Sequence, residues 1–368
     1  MKIALIGPVY PYRGGIAHHS TSLAGAMQEA GHVVRIFSFQ QQYPAWLYPG
    51  KSDRDPSRLR FEAPAEFILR PLSSVTWQQT ARQIIKFQPD LVIFQWWTTF
   101  WTLAYTALAG TLRRAGIKTV FLIHNVLPHE PQPLDGWLAR LALRQAGAYL
   151  VHSQGEKQRL QGLLPAATSV YYAPHPAYRL FGGRDISRPE AKARLGLNEN
   201  AYLLLFFGLV RPYKGLHRLL EAMGNLKKNG ACPNLLVAGE FWEKPSRYRE
   251  QVQRLGLDDL VRFDNRYIPN EEVSLLFSAA DLYVAPYLAA TQSGSAHLAM
   301  GFGLPILASD RAIDPQEGSY LPLQTFTAGD AEALAQAIMA GQLAAQQFKY
   351  LPPAGDGWQD LVEALVEA

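Results

Sequence analysis

Residues 287–307 read YLAATQSGSAHLAMGFGLPIL. The pattern is the end of a strand, a polar loop, a helix, a glycine-containing stop and another strand. That order is one unit of a parallel sheet with a helical crossover. The loop Thr291-Gln292-Ser293-Gly294 opens the helix, which starts near Ser293. A helix start built from small residues presents backbone N–H groups and the positive end of a dipole, which suits a phosphate. Upstream, residues 207–215 read FGLVRPYKG: they leave one strand, enter another helix and add Arg211 and Lys214. Arginine presents a planar fork to phosphate oxygens and lysine a compact point charge. Two such loops in one half of the chain point to a clamp for a diphosphate and hence to a nucleotide-activated substrate.

Working outward, short apolar runs alternate with amphipathic helical patterns throughout. The strand-like runs of the first half are 2–6, 33–39, 91–95, 119–124, 149–152 and 169–172. Those of the second half are 202–207, 234–238, 261–263, 282–285 and 306–308. This alternation predicts parallel sheets covered by helices on both faces. It restarts after Tyr172-Ala173-Pro174-His175-Pro176, where two prolines make a stiff connector. The expected fold is therefore α/β, two doubly wound Rossmann-like domains in tandem, facing each other across a cleft. Residues 1–178 form the first, 179–350 the second, and 351–368 end in a short amphipathic helix that packs back on the first. Residues 40–71, rich in Pro, Arg and aromatics, read as a long irregular loop.

Composition narrows the class. A chain of 368 residues exceeds what one core usually serves. With 48% hydrophobic and 18% charged residues it is globular rather than disordered. Its one cysteine, Cys232, allows no internal disulfide and fits a reducing, cytoplasmic setting. A net charge of +4 without a Lys/Arg run gives no reason to expect nucleic acid, although a basic face suits an anionic membrane surface. The opening run ends at Pro8, too short for a signal-peptide core, and reads as a first buried strand. Residues 91–112 carry no charge, but Gln95, Thr98, Thr99, Thr102 and Thr106 interrupt them, so a strand followed by a helix is expected rather than a membrane span. Trp96, Trp97 and Trp101, with the aromatics of 42–48, are candidates for an acceptor-facing or membrane-facing surface.

The first strand-to-helix turn, residues 7–16, lacks Gly-x-Gly-x-x-Gly, which disfavours a nicotinamide dehydrogenase. Gly14-Gly15 instead let backbone approach a ligand. His124-Asn125 follow a strand, at the sheet end where open α/β folds bind ligands. There His124 either orients a sugar hydroxyl or polarises a reacting group, or is simply a hydrogen-bonded strand-end histidine. His129 lies in the same loop, and His18 and His19 near the first helix start. Gly239-Glu240 and Arg266-Tyr267 follow the strands at 234–238 and 261–263 and are candidates for a base pocket, or for plain loops. No His-Glu-x-x-His or carboxylate set marks a metal site; Asp53 and Asp55 alternate with arginines in a loop. No Gly-x-Ser-x-Gly elbow marks a hydrolase.

Together the turn at 3–15, Ile123-His124-Asn125-Val126-Leu127-Pro128-His129-Glu130, Val151-His152-Ser153, Ala173-Pro174-His175-Pro176, residues 208–215 and residues 281–305 resemble the GT-B fold glycosyltransferases, in particular retaining family 4. The resemblance spans nearly the whole chain. It implies transfer of a sugar from a nucleotide-diphosphate donor to a sugar or lipid-linked glycan acceptor, as in envelope or exopolysaccharide assembly, without a bound metal or other cofactor. It implies that the donor sits mainly in the second domain, near Gly239, Glu240, Arg266, Tyr267, Thr291, Gln292, Ser293, Gly294 and Ser295, with Gly14 and Gly15 contributing from the first. Arg211 and Lys214 would neutralise the leaving diphosphate. His124 would contact the donor sugar, and His18, Asn125 and His129 the sugar or acceptor. Peripheral contact with the cytoplasmic membrane face accompanies a lipid-linked acceptor. One feature departs from the family: two glutamates with seven residues between them fall here on Ala290 and Leu298, with Thr291, Gln292 and His297 as polar neighbours. A catalytically silent nucleotide-sugar binder and a GT-B sugar-nucleotide epimerase are the alternatives.

Overall fold

Two all-parallel sheets organise the chain. A computed structural model describes residues 1–44, 52–128, 130–165, 168–182, 186–230, 232–289, 293–313, 323–345 and 355–368. By contacts the chain divides into two compact units. The first comprises Met1–Pro56, Arg60–Pro176 and Gly357–Ala368, and the second Ser57–Leu59 and Ala177–Asp356.

The first unit contains β1 (Lys2–Ile6), α1 (Gly15–Glu29), β2 (Val33–Phe39), β3 (Ala65–Leu69), α2 (Ser74–Phe87), β4 (Leu91–Trp96), α3 (Thr102–Arg114), β5 (Thr119–Ile123), α4 (Asp135–Leu143), β6 (Ala148–Val151), α5 (Gln154–Leu163) and β7 (Val170–Tyr172). Its strands lie in the order β3-β2-β1-β4-β5-β6-β7. The winding reverses between β1 and β4, which pair Ile3–Leu91 through Ile6–Phe94. Every residue of β4 and β5 is buried, as strands covered on both faces require. The 91–112 stretch is β4, a short 3₁₀ turn at Thr99–Trp101 and α3. No helix among the described residues is long and apolar enough to cross a membrane. Trp96 and Trp101 are core residues, so they do not belong to the acceptor-facing surface expected of them. Tyr105 and Phe121 pack against Trp96, and Tyr105 and Phe39 against Trp101, in the interior where bulky rings gain most from leaving water.

The second unit contains α6 (Arg188–Arg194), β8 (Leu203–Phe207), α7 (Leu216–Lys228), β9 (Asn234–Ala238), α8 (Ser246–Leu255), β10 (Val261–Asp264), α9 (Asn270–Ala279), β11 (Leu282–Ala285), α10 (Gly294–Gly301), β12 (Ile306–Ser309), β13 (Leu323–Phe326) and α11 (Ala331–Ala345). The strand order is β10-β9-β8-β11-β12-β13, reversing between β8 and β11. A separate core of Leu204, Phe206, Leu219, Met223, Val237, Tyr248 and Val284 fills it. The last helix, α12 (Trp358–Glu367), packs on α1 of the first unit through Trp358, Leu361, Val362 and Leu365.

Some helix starts carry a side-chain cap. Ser153 and Ser187 accept the backbone N–H of Glu156 and Glu190, and Ser293 accepts that of Ala296. The stretch at 40–71 departs from the sequence reading. It holds β3, which pairs with β2 at the sheet edge, rather than loop throughout. A half-buried edge strand broken by Glu66 carries too weak an alternation to stand out.

Candidate functional site

In the second unit the loops after β8 and β11 leave neighbouring strands at the point where the winding reverses, the position where open α/β sheets bind ligands. Arg211 ends the loop after β8, a 3₁₀ turn covers Pro212–Lys214, and α7 starts at Leu216. Gly215 joins them at φ +69°, and a Cβ there would lie 1.9 Å from the Pro286 carbonyl oxygen. Only glycine permits so close a crossing of the two loops. Lys214 is consequently buried. Its ammonium sits 5.2 Å from the centre of the Tyr287 ring, and the Tyr287 hydroxyl is the group that most favours its charge. Burial opposes its charge, but Tyr287 and Tyr213 outweigh burial, and the net shift of its pKa is upward.

The Tyr287 hydroxyl is the hub. It accepts from Ser293 Oγ at 3.1 Å and shares a hydrogen bond with Ser295 Oγ, also at 3.1 Å. Ser293 is at the same time the N-cap of α10. Lys214 is thus tied through one phenol to the first turn of a helix whose N–H groups and dipole favour an anion. Burial pushes the Tyr287 phenol up, and Lys214 with the two serines more than reverses that shift. Ser293, Gly294, Ser295, Arg211 and Lys214 are therefore one constellation. Arg211 is half-buried beside Tyr213 and Trp242 at 5.6 and 5.7 Å from their ring centres.

Other expectations fare differently. Gly239 backs onto the first loop, its absent Cβ only 1.9 Å from Gly208 O, and Glu240 accepts the Val210 N–H through its carbonyl. The Arg266 guanidinium bonds the carboxylates of Glu272 and Asp264, which raises its pKa. Tyr267 is half-buried in that loop. His297 turns inward, bonding Ser293 O at 2.9 Å, and Leu298 is buried, so neither offers the missing carboxylate. Ala290, Thr291, Gln292 and His129 lie outside the described residues.

In the first unit the carboxyl ends of the central strands collect histidines. His124 follows β5, His152 follows β6, His175 follows β7, and His19 comes from α1. The His19 ring lies 4.6, 5.2 and 5.1 Å from those of His124, His152 and His175, and 5.0 Å from Trp358. Burial, then His152, holds the His124 pKa well below its usual value, so its imidazole is neutral. His124 Nε2 meets Gln95 Oε1 of β4 at 2.5 Å. Gly7 makes room for Gln95, since a Cβ there would lie 2.6 Å from its side chain. The backbone after His124 is pinned by Glu156, which accepts the Val126 N–H at 2.5 Å, and by Trp96, which donates to Val126 O. Asn125 is half-buried beside it. His18 packs edge-on against Phe61, and burial, partly offset by Asp55, lowers its pKa to about 4. Gly14 adopts φ +104°, and both it and Gly15 have open space where a Cβ would stand.

Sequence reading missed Tyr287, Gln95 and Glu156. Tyr287 did stand in a legible place, the loop two residues past β11. The partners of Gln95 and Glu156 are separated from them in sequence and carry no local signal.

Residues 14–174 match the family described as Glycosyl transferase 4-like domain, and residues 201–340 the family Glycosyl transferases group 1. D-inositol 3-phosphate glycosyltransferase 1 of Catenulispora acidiphila is 30% identical over 217 residues, 54% of this chain and 51% of that protein. The chain thus spans about half the length of this curated relative. Among solved structures, sucrose-phosphate synthase from Thermosynechococcus elongatus is similar with a TM-score of 0.68 at 20% identity, covering 99% of this chain and 94% of that one. HepE of Anabaena, solved in complex with UDP, has a TM-score of 0.71 at 17% identity, covering 100% and 97%. At such identities these structures show a shared fold.

Proposed function

The chain belongs to the group 1, family 4-like glycosyltransferases of the GT-B fold, and from that membership we propose that it is a retaining transferase acting on a nucleotide-diphosphate sugar. The acceptor is a sugar or lipid-linked glycan, in envelope or exopolysaccharide assembly at the cytoplasmic face of the membrane. The observation that carries the reading is the buried Lys214 tied through Tyr287 to the start of α10 at the β8/β11 switch point.

Transfer breaks the bond between the anomeric carbon and the diphosphate oxygen, so negative charge grows on the leaving group. Lys214 and Arg211 meet that charge, and the N–H groups at the start of α10, with Ser293 and Ser295, supply dipoles already aimed. Preorganised donors of this kind stabilise the departing diphosphate without an ion. Neutral His124, fixed by Gln95, offers one ring nitrogen to a sugar hydroxyl. Exposed Leu134 and Trp137 on and beside α4, close to Arg140, suit a lipid-linked acceptor at a membrane surface.

A thermal-shift series tests the reading with UDP, GDP, ADP, CMP and dTDP, each with and without EDTA. UDP comes first because the Anabaena neighbour was solved with it. One diphosphate is expected to raise the melting temperature equally in both buffers, since a ligand that binds only the native state stabilises by mass action. No shift with any of them sinks the proposal. Binding without turnover of the matching nucleotide sugar points to the silent binder that the loss of both glutamates would produce.

A further inference from the structure

His19, His124 and His152 are all buried, and one ring nitrogen from each lies within 4.8 Å of the others. No carboxylate belongs to the group. Two hydrogen bonds fix the tautomers. A carbonyl oxygen only accepts, so His124 Nε2 donates to Gln95 Oε1 and His152 Nδ1 donates to Ala173 O at 3.0 Å. The acceptor lone pairs are then on His124 Nδ1 and His152 Nε2. Backing of one imidazole nitrogen by a carbonyl is an arrangement that orients metal-binding histidines.

We propose that His19, His124 and His152 form a buried tri-histidine site for a divalent transition ion of the zinc class. An all-imidazole set suits Zn²⁺, Ni²⁺ or Cu²⁺, whereas Mg²⁺ and Ca²⁺ prefer oxygen. Zinc binds imidazole at about 2.0–2.1 Å, which places ligand nitrogens roughly 3.4 Å apart in a tetrahedral set. The three nitrogens, already within 4.8 Å of one another, close to that spacing when an ion binds. A water, or His175, whose ring stands 5.1 Å from those of His19 and His152, completes the shell. The sequence hides this site because its ligands are far apart in the chain and fit no short metal motif. Under the transferase reading His124 serves the donor sugar, so an ion held there competes with donor and inhibits transfer. Metal binding itself does not depend on that reading.

The test uses the full chain stripped with EDTA. Zn²⁺ titrated calorimetrically is expected to bind at one equivalent, and Co²⁺ to give the visible bands of a nitrogen-ligated ion. His19→Phe is expected to weaken binding at least about 100-fold, while His32→Ala and His217→Ala leave it unchanged. Far-UV circular dichroism of the metal-free variant shows whether it folds. Zinc-edge absorption of the unmodified protein provides a reading that needs no variant. A shell with three or more imidazole nitrogens supports the site, and a shell of oxygens alone overturns it. Absence of binding, or binding that His19→Phe does not touch in a folded protein, also overturns it. Both readouts are independent of turnover, so failure of the metal site and failure of the transferase proposal are separable.

Discussion

A buried ammonium is costly to desolvate unless hydrogen-bonding groups face it. Lys214 has the Tyr287 hydroxyl, which also carries Ser293 and Ser295. The arrangement leaves a charge in a place where a diphosphate gains most from it. Changing Lys214 or Arg211 to Ala should each weaken nucleotide-diphosphate affinity by about 1–3 kcal/mol, the range for losing a hydrogen bond to a charged group. Tyr287→Phe keeps the ring against the lysine but removes the hub hydroxyl. It should weaken affinity by about 1–2 kcal/mol by the same argument, through a looser Lys214 and a looser helix start. Calorimetry on the three variants, with the diphosphate that wild type binds, decides this. Unchanged affinity in both cation variants removes them from the phosphate site, and unchanged affinity in Tyr287→Phe removes the hub role.

Among the elements, the loop between β5 and α4 is held by a group in α5. Glu156 stands in the first turn of α5, and its carboxylate accepts the Val126 N–H two residues past His124. Burial raises its pKa, and the hydrogen bond and Arg159 only partly offset that. A carboxyl whose folded pKa exceeds the unfolded value contributes stability that is complete below the unfolded pKa and is lost as pH rises through the folded one. Wild type should therefore lose stability from this group as pH climbs from about 4 through the weakly acid range. Glu156→Gln keeps an acceptor for Val126 and cannot ionise, so its melting temperature relative to wild type should rise between pH 4.5 and 8. A relative melting temperature that falls over this range contradicts the burial argument. The same scale shows what the sequence could and could not disclose. β4 and β5, buried throughout, were legible as apolar runs. β3 and β13 were not, because Glu66, Gln324 and Thr325 interrupt their apolar pattern, whereas the other edge strands, β7 and β10, were read. Pattern-reading finds apolar runs and misses strands whose pattern polar residues interrupt.

Across the whole molecule, one winding is used twice. Both sheets run outward in one direction from their first strand and reverse at the next, β1 to β4 and β8 to β11. Reversal separates the two following loops and leaves a crevice at the carboxyl ends. This rule made Arg211, Lys214 and Ser293 legible in the sequence, since each stands just past a recognisable strand. The histidine cluster was legible only in part. His124 advertised itself at a strand end, but its meeting with His19 and His152 depends on strand order, which no local pattern encodes. Arg266 is a strand-end cation whose ion pairs with Asp264 and Glu272 no strand-end rule discloses. Hydrogen exchange tests the positional rule directly. Adding the nucleoside diphosphate that wild type binds should slow exchange most at residues 208–215 and 287–296, the loops past β8 and β11. The amides at the opposite ends of the same strands, near Tyr202 and Asp281, should respond far less, because they already bond within the sheet and lie a strand's length away. Slowing concentrated at those amino ends would place the nucleotide on the wrong side of the sheet for the switch-point argument, and Lys214 would then need another explanation for its burial.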